Sequence, residues 1–202
     1  MKRSSLGNRN SVRLLALSLG LPLLTATVSC HSSTAAGVRL FDLQGHAVEP
    51  LERSNAKATV LIFTRTDCPI SNRYAPVIQD LYRRFSPQEV AFWMVYVDPG
   101  QPVNQIREHL KEYGYRLPVV LDPTHKLVKI AGAHVTPEAA VFSSHGKLLY
   151  HGRIDNLYAG FGESLPAPTR KDLQLTLVAI LARQPLPEAS APPVGCYISD
   201  LE

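Results

Sequence analysis

Apolar residues run without a break at Val60-Leu61-Ile62-Phe63, within a stretch from Thr59 to Thr64, and again from Val90 to Val97. Runs this apolar predict strands buried on both faces, the arrangement of a parallel sheet covered by helices. Between them the period changes. Ile78, Leu81, Tyr82 and Phe85 recur at i, i+3, i+4 and i+7, which predicts a helix with one face on that sheet. Pro76 lies inside the helical stretch and is expected to kink it. Val103, Ile106, Leu110 and Tyr113 predict a second helix between Pro102 and Gly114, and Leu117 to Leu121 a third strand closed by Asp122-Pro123. Strand and helix alternate, so the fold class expected is α/β with right-handed crossovers.

The flanks add antiparallel pieces. Phe41 to Val48 alternates around a glycine turn and predicts an N-terminal β-hairpin. Leu127 to Ile130 predicts a short helix that stops at Ala131-Gly132. Val135-Thr136-Pro137 then leads into a strand at Ala139 to Phe142, a turn at Ser143 to Gly146, and a returning strand at Lys147 to His151. That hairpin makes the sheet mixed. Residues 152–168 read as a long loop, either plain connection or, through Tyr158 and Phe161, a cover for a site. The last helix is expected to start at Thr169, capped with the help of Asp172, and to bury Leu173, Leu177, Ile180 and Leu181. A Pro-rich tail follows from Pro185 and ends in Val194-Gly195-Cys196-Tyr197-Ile198.

Composition sharpens the organisation. The chain has 202 residues and 45% hydrophobic content, enough for one globular domain with appendages. Its net charge of +4 is modest and its basic residues form no long run, so nucleic-acid binding is not expected. Lys2, Arg3, Arg9 and Arg13 precede an apolar run from Leu14 to Leu24, the pattern of an export signal and too short for a comfortable membrane span. Small residues before Cys30 resemble a bacterial lipobox, with Thr27 where Leu is usual. The expected organisation is therefore a lipoprotein-type signal at 1–30, a linker at 31–37, a domain at 38–184 and a tail at 185–202. Lipid attachment at Cys30 would anchor the protein to the membrane on the periplasmic or cell-surface side, where disulfides persist. Cys68 and Cys196 would be the thiols that remain.

Cys68 falls on a strand-to-helix turn, where unpaired backbone N–H groups and the helix dipole favour thiolate over thiol. A free cysteine near pKa 8.5 is a few per cent thiolate at neutral pH, and one lowered to about 7 is half ionised. Ser71 is a possible donor to that thiolate, Arg65 or Arg73 would help if turned inward, and Asp67 acts against it. Cys68-Pro69-Ile70-Ser71 has the form of a Cys-x-x-Cys redox motif whose second cysteine is Ser71.

The strand, the Cys-Pro at a helix start, Pro76 eight residues on, and Val135-Thr136-Pro137 before a strand-turn-strand pair together resemble the thioredoxin-like superfamily. Phe63 to Ser71 is similar to the Phe-x-x-Thr-x-Cys-Pro-x-Cys segment of its exported, membrane-anchored thiol reductases. The Phe41 to Val48 hairpin is typical of that branch and of the alkyl hydroperoxide reductase and thiol-specific antioxidant family. The resemblance spans about residues 38–184. It implies a mixed sheet flanked by helices, a cis peptide at Pro137 facing Cys68, and a substrate segment that pairs its backbone with Thr136 and Val135. Four positions depart from the pattern. Ser71 replaces the resolving cysteine, Ile62 stands where thioredoxins hold a buried acid, and Arg65 and Leu61 replace the Thr or Ser and the Pro of a peroxidatic site.

The resemblance implies a thiol-disulfide oxidoreductase with Cys68 as nucleophile, acting on protein or small-molecule disulfides or thiols, with an electron donor the sequence does not name. No cofactor is expected. Cys196 is the candidate resolving thiol, because Gln184 to Cys196 spans up to about 40 Å and a domain of this size has a radius of gyration near 15 Å. Reach permits that pairing without requiring it. The alternatives are a peroxide-reducing redoxin, in which Cys68 becomes a sulfenic acid, and a non-enzymatic copper-delivery or interaction module. In that last case Cys68, Cys196 and His134, which lies three residues before Pro137, would form a soft-metal site.

Overall fold

The computed structural model describes residues 37–52, 55–188 and 191–199. The expected export signal, the lipidation site Cys30 and the linker, apart from its last residue, lie outside these residues. Leu40–Phe41 (β1) and Ala47–Val48 (β2) form the expected hairpin, with Leu40 opposite Val48. Ala58–Thr64 (β3) follows, every residue buried.

The helix after Cys68 does not kink at Pro76; it breaks before it. Pro69–Arg73 (α1) and Ala75–Phe85 (α2) are separate, joined through Tyr74. Proline has no N–H, and its ring clashes with the carbonyl four residues back, so the chain restarts at Tyr74 instead of bending through it. Val90–Tyr96 (β4), Val103–Glu112 (α3), Val119–Leu121 (β5) and Lys126–Ala131 (α4) follow the predicted order. In α3 the buried positions are Ile106 and His109, while the expected core residue Val103 is exposed. Gly132, at φ 67°, ends α4 in the left-handed conformation that glycine adopts without a Cβ penalty.

Val135–Thr136 (β6) and Glu138–Ser143 (β7) flank a cis Thr136–Pro137 peptide, and Leu148–Gly152 (β8) returns. The segment 152–168 is not featureless loop: Tyr158–Gly160 (β9) and Glu163–Ser164 (β10) pair as a small antiparallel hairpin. The last helix, Asp172–Leu181 (α5), begins after Thr169 and has no side-chain cap. Asp172 is drawn away from capping by two guanidinium groups: its carboxylate takes Arg153 Nε at 2.7 Å and Arg170 Nε at 2.5 Å. Thr169 Oγ1 instead accepts from Asn156 Nδ2. Cys196–Tyr197 (β11) is a strand that tail composition did not reveal.

The main sheet runs in the order β2-β1-β5-β4-β3-β7-β8. β3, β4 and β5 are mutually parallel, and β7, β8, β1 and β2 add antiparallel edges. Successive strand side chains face opposite ways, which divides the core. Val60 and Ile62 join Ile78, Leu81, Phe85, Ile106, Leu173 and Leu177, from α2, α3 and α5, on one face. Leu61 and Phe63 join Leu127 and Val128, from α4, on the other. Full burial of each of these aliphatic or aromatic side chains contributes about 1.5–3 kcal/mol. With the central strands held between two apolar layers, their C-terminal ends become a rigid rim, and α1 starts from that rim.

Candidate functional site at the C-terminal ends of the central strands

β3 delivers the chain to Cys68, the N-cap residue of α1 in extended conformation. Its sulfur is fully buried and accepts the Ser71 N–H at 3.5 Å. Because α1 has only five residues, the favourable field comes from this local N–H more than from a long helix dipole. The Ser71 hydroxyl is also fully buried and makes no hydrogen bond of ordinary geometry, which leaves its O–H free to turn toward the sulfur. Arg65 is held by Asp67 at 2.9 Å and Asp98 at 3.7 Å, and Arg73 is exposed, so neither is bonded to the thiol.

The tail completes the site. β11 pairs antiparallel with β6, Cys196 opposite Thr136 and Tyr197 opposite Val135. In this register Cys196 Sγ lies 2.7 Å from Cys68 Sγ, while Cys68 Sγ also donates to the Thr136 carbonyl at 3.0 Å. Neither cysteine is in a disulfide, and a covalent bond of about 2.05 Å needs a shift of well under an ångström. The two sulfurs differ electrostatically. Burial opposes ionisation of Cys68, but its polar neighbours, Cys196 first, then the Ser71 hydroxyl and N–H and the Thr136 side chain, outweigh it and lower its pKa. Burial raises Cys196 to about 12, reinforced by its bond to Cys68 and by the charges of Cys68 and Asp67, against a smaller opposing effect of Arg65. Of the two thiols, Cys68 is therefore the one that ionises first.

Pro137 is cis and buried, as the resemblance implied, and Thr136 touches both sulfurs' surroundings: its carbonyl takes Cys68 and its Oγ1 donates to the Cys196 carbonyl at 3.5 Å. His134 is exposed; its backbone N–H goes to Glu138 Oε2 at 2.9 Å. Among the described residues no three His, Cys, Asp or Glu side chains come together as a metal-holding group, so the soft-metal arrangement of Cys68, Cys196 and His134 gains no support from the geometry.

Sequence reading missed residues that hold the site in place. His109 Nε2 reaches Asn72 Oδ1 at 2.8 Å, its Nδ1 meets Tyr96 Oη at 2.7 Å, and Asn72 Nδ2 donates to the Thr66 carbonyl at 3.0 Å. The consistent assignment is a neutral ring with Nε2–H donating to Asn72 and Nδ1 accepting from Tyr96. This chain of bonds ties α3 to the first turn of α1. A histidine one helical turn after Ile106 was its only trace in the sequence. Buried Glu138 braces the cis-proline loop by accepting the N–H groups of His134 and Val135. The hairpin β9–β10 packs Tyr158 on Tyr74, ring centroids 5.9 Å apart, and Tyr74 Oη donates to Asp155 at 2.6 Å, while Phe161 is left 79% exposed.

A family model described as AhpC/TSA matches residues 33–151, more than half of the chain. The thiol-disulfide oxidoreductase ResA of Halalkalibacterium halodurans is 26% identical over 110 residues, 54% of this chain and 61% of that protein. The chain thus spans about three fifths of the curated relatives it matches. A hypothetical protein from Sinorhizobium meliloti 1021 superposes with a TM-score of 0.71 at 24% identity, over 82% of this chain and 91% of the other. The thioredoxin domain of a thiol-disulfide oxidoreductase from Bacteroides vulgatus gives 0.51 at 17% identity, over 59% and 85%. The fold is thioredoxin-like, and Cys196 lies beyond the stretch that the family model covers.

Proposed function

Because the chain belongs to the AhpC/TSA family, and so is a redoxin of thioredoxin-like fold, we propose that it is a thiol-disulfide oxidoreductase in which Cys68 is the nucleophile and Cys196 the resolving thiol. One observation carries the reading: the two sulfurs lie 2.7 Å apart at the start of α1. The Cys68 thiolate attacks one sulfur of a substrate disulfide; a Cys68–substrate bond forms and the other substrate sulfur leaves as a thiolate. Cys196 then loses its proton and attacks Cys68, closing the Cys68–Cys196 bond and releasing the second substrate sulfur. The two protein thiols give up two electrons, which the substrate disulfide takes, and an external dithiol returns the protein to its starting state. In reverse the same steps oxidise a substrate dithiol. Ser71 tunes the nucleophile, and Thr136 and Pro137 form the edge against which the reacting segment lies.

Export and lipid attachment at Cys30 belong to the same reading, supported by the basic start and apolar run of residues 1–30 and by the stability of disulfides outside the cytoplasm. Arg65 stands where peroxidatic sites carry Thr or Ser and is engaged by Asp67 and Asp98, which favours the disulfide reading over the peroxide one.

The test is the mass of the protein after mild oxidation and thiol trapping. Loss of two hydrogens with a Cys68–Cys196 cross-link, abolished by Cys196→Ala, is the expected result. Two trappable thiols at these positions after oxidation would overturn the assignment.

A further inference from the structure

We infer that residues 194–198 are an internal ligand of the groove beside Thr136-Pro137, that an extended disulfide-bearing polypeptide enters the same groove, and that tail and substrate exclude one another, with Gly195 as the positioning residue that lets the tail dock. The substrate class rests on the oxidoreductase reading; the occupancy of the groove does not.

Several observations converge on that groove. β6 pairs with β11 alone among the described residues, so the tail holds the main-chain groups that a second extended strand would need. Ile198 extends the contact, its N–H donating to the His134 carbonyl at 2.9 Å and its side chain 6% exposed among core residues. Cys68 has no exposed surface while Cys196 touches it, so a substrate sulfur reaches Cys68 only after the tail leaves. Docking is also shallow. The strand is two residues long, and Tyr197 is 80% exposed. Leu186, Pro187, Pro192 and Pro193 line a cavity of about 720 Å³ together with Leu148, Tyr150 and His151 of β8. A strand of two residues with one buried anchor, Ile198, is a small enough contact to lift and return.

Gly195 sets how closely the tail approaches. A Cβ at this position would lie 2.2 Å from the Thr136 carbonyl oxygen, 2.7 Å from its carbon and 3.3 Å from Pro137 N. All are backbone atoms, which cannot swing aside, so any side chain lifts the tail off β6 and carries Cys196 away from Cys68. In the catalytic cycle the tail leaves, the substrate strand pairs with Val135–Thr136, and Cys68 forms the mixed disulfide. The returning tail then displaces that strand while Cys196 attacks Cys68, so product release and resolution are one movement.

The experiment uses the full chain in a Cys196→Ser background, where no Cys68–Cys196 disulfide can form, and follows iodoacetamide labelling of Cys68 by mass spectrometry of its peptide. Gly195→Ala is expected to speed labelling by about tenfold, a loss of about 1.4 kcal/mol of docking. Ile198→Ala, which removes the buried anchor without touching Thr136, is expected to act in the same direction. The free peptide Pro-Val-Gly-Ser-Tyr-Ile should slow labelling of the Gly195→Ala chain again, and the same peptide with Ala in place of Gly should not. Labelling that is equal with and without Gly195, or that the peptide leaves unchanged, overturns the inference. If the wild type forms no Cys68–Cys196 disulfide yet Gly195→Ala still opens Cys68, the oxidoreductase reading fails and the groove assignment stands.

Discussion

Cys196 stands opposite Thr136 across the β11–β6 pairing, and that register brings its sulfur to within 2.7 Å of Cys68. A slip of one residue would turn Cys196 to the other side of the strand. The half-motif Cys68-Pro69-Ile70-Ser71 is thus completed from the far end of the chain by backbone pairing, and its neighbours become testable through what they do to the Cys68 sulfur.

Ser71 carries a buried hydroxyl without a hydrogen bond of ordinary geometry, beside a sulfur whose pKa it helps to lower. Ser71→Ala should therefore shift the pH midpoint of Cys68 alkylation upward, measured in the Cys196→Ser background. Stability should change by less than about 1 kcal/mol, because no formed hydrogen bond is lost. An unmoved midpoint would remove Ser71 from the site.

His109 is held neutral between Asn72 and Tyr96, and burial lowers its pKa against a smaller opposing effect of Glu112. The unfolded chain, with an ordinary histidine near pKa 6.5, takes up the proton first on acidification. The stabilisation is therefore complete above pH about 6.5 and is lost as pH falls from there through the folded value. Urea midpoints from about pH 8 to about pH 5 should fall more steeply for the wild type than for His109→Gln. Parallel curves would show that the ring does not carry this dependence.

Asp172 is 2% exposed and bonded to both Arg153 and Arg170. Asp172→Asn leaves the half-buried Arg153 facing a neutral amide, and a loss of about 3 kcal/mol in urea unfolding is expected, near the lower end for a broken buried pair, since Arg170 is 41% exposed and solvated. A change below about 1 kcal/mol would mean that solvent already screens the cluster.

The order and faces of the elements around the site were legible in the chain because they follow from local rules. Val60 to Phe63 and Val90 to Val97 are apolar without a break since helices cover both sheet faces, and α2 repeats apolar residues at its own period. Cys68 at a strand-to-helix turn and Pro137 before a strand were readable for the same reason. Misplaced features were those in which a side chain had a competing partner. Asp172 leaves the helix start for two arginines, and His109 takes a core position through polar bonds to Asn72 and Tyr96 that periodicity does not register.

By itself, the sequence determined the α/β alternation, the position of Cys68 at a strand-to-helix turn and a tail long enough to reach it. Tertiary structure alone decided that the tail docks as a strand, and in which register. That choice depends on backbone pairing with Val135–Thr136 and on an approach at Gly195 so close that a Cβ would lie 2.2 Å from the Thr136 carbonyl oxygen. Both arise between segments some sixty residues apart in the chain, where neither composition nor period carries a signal.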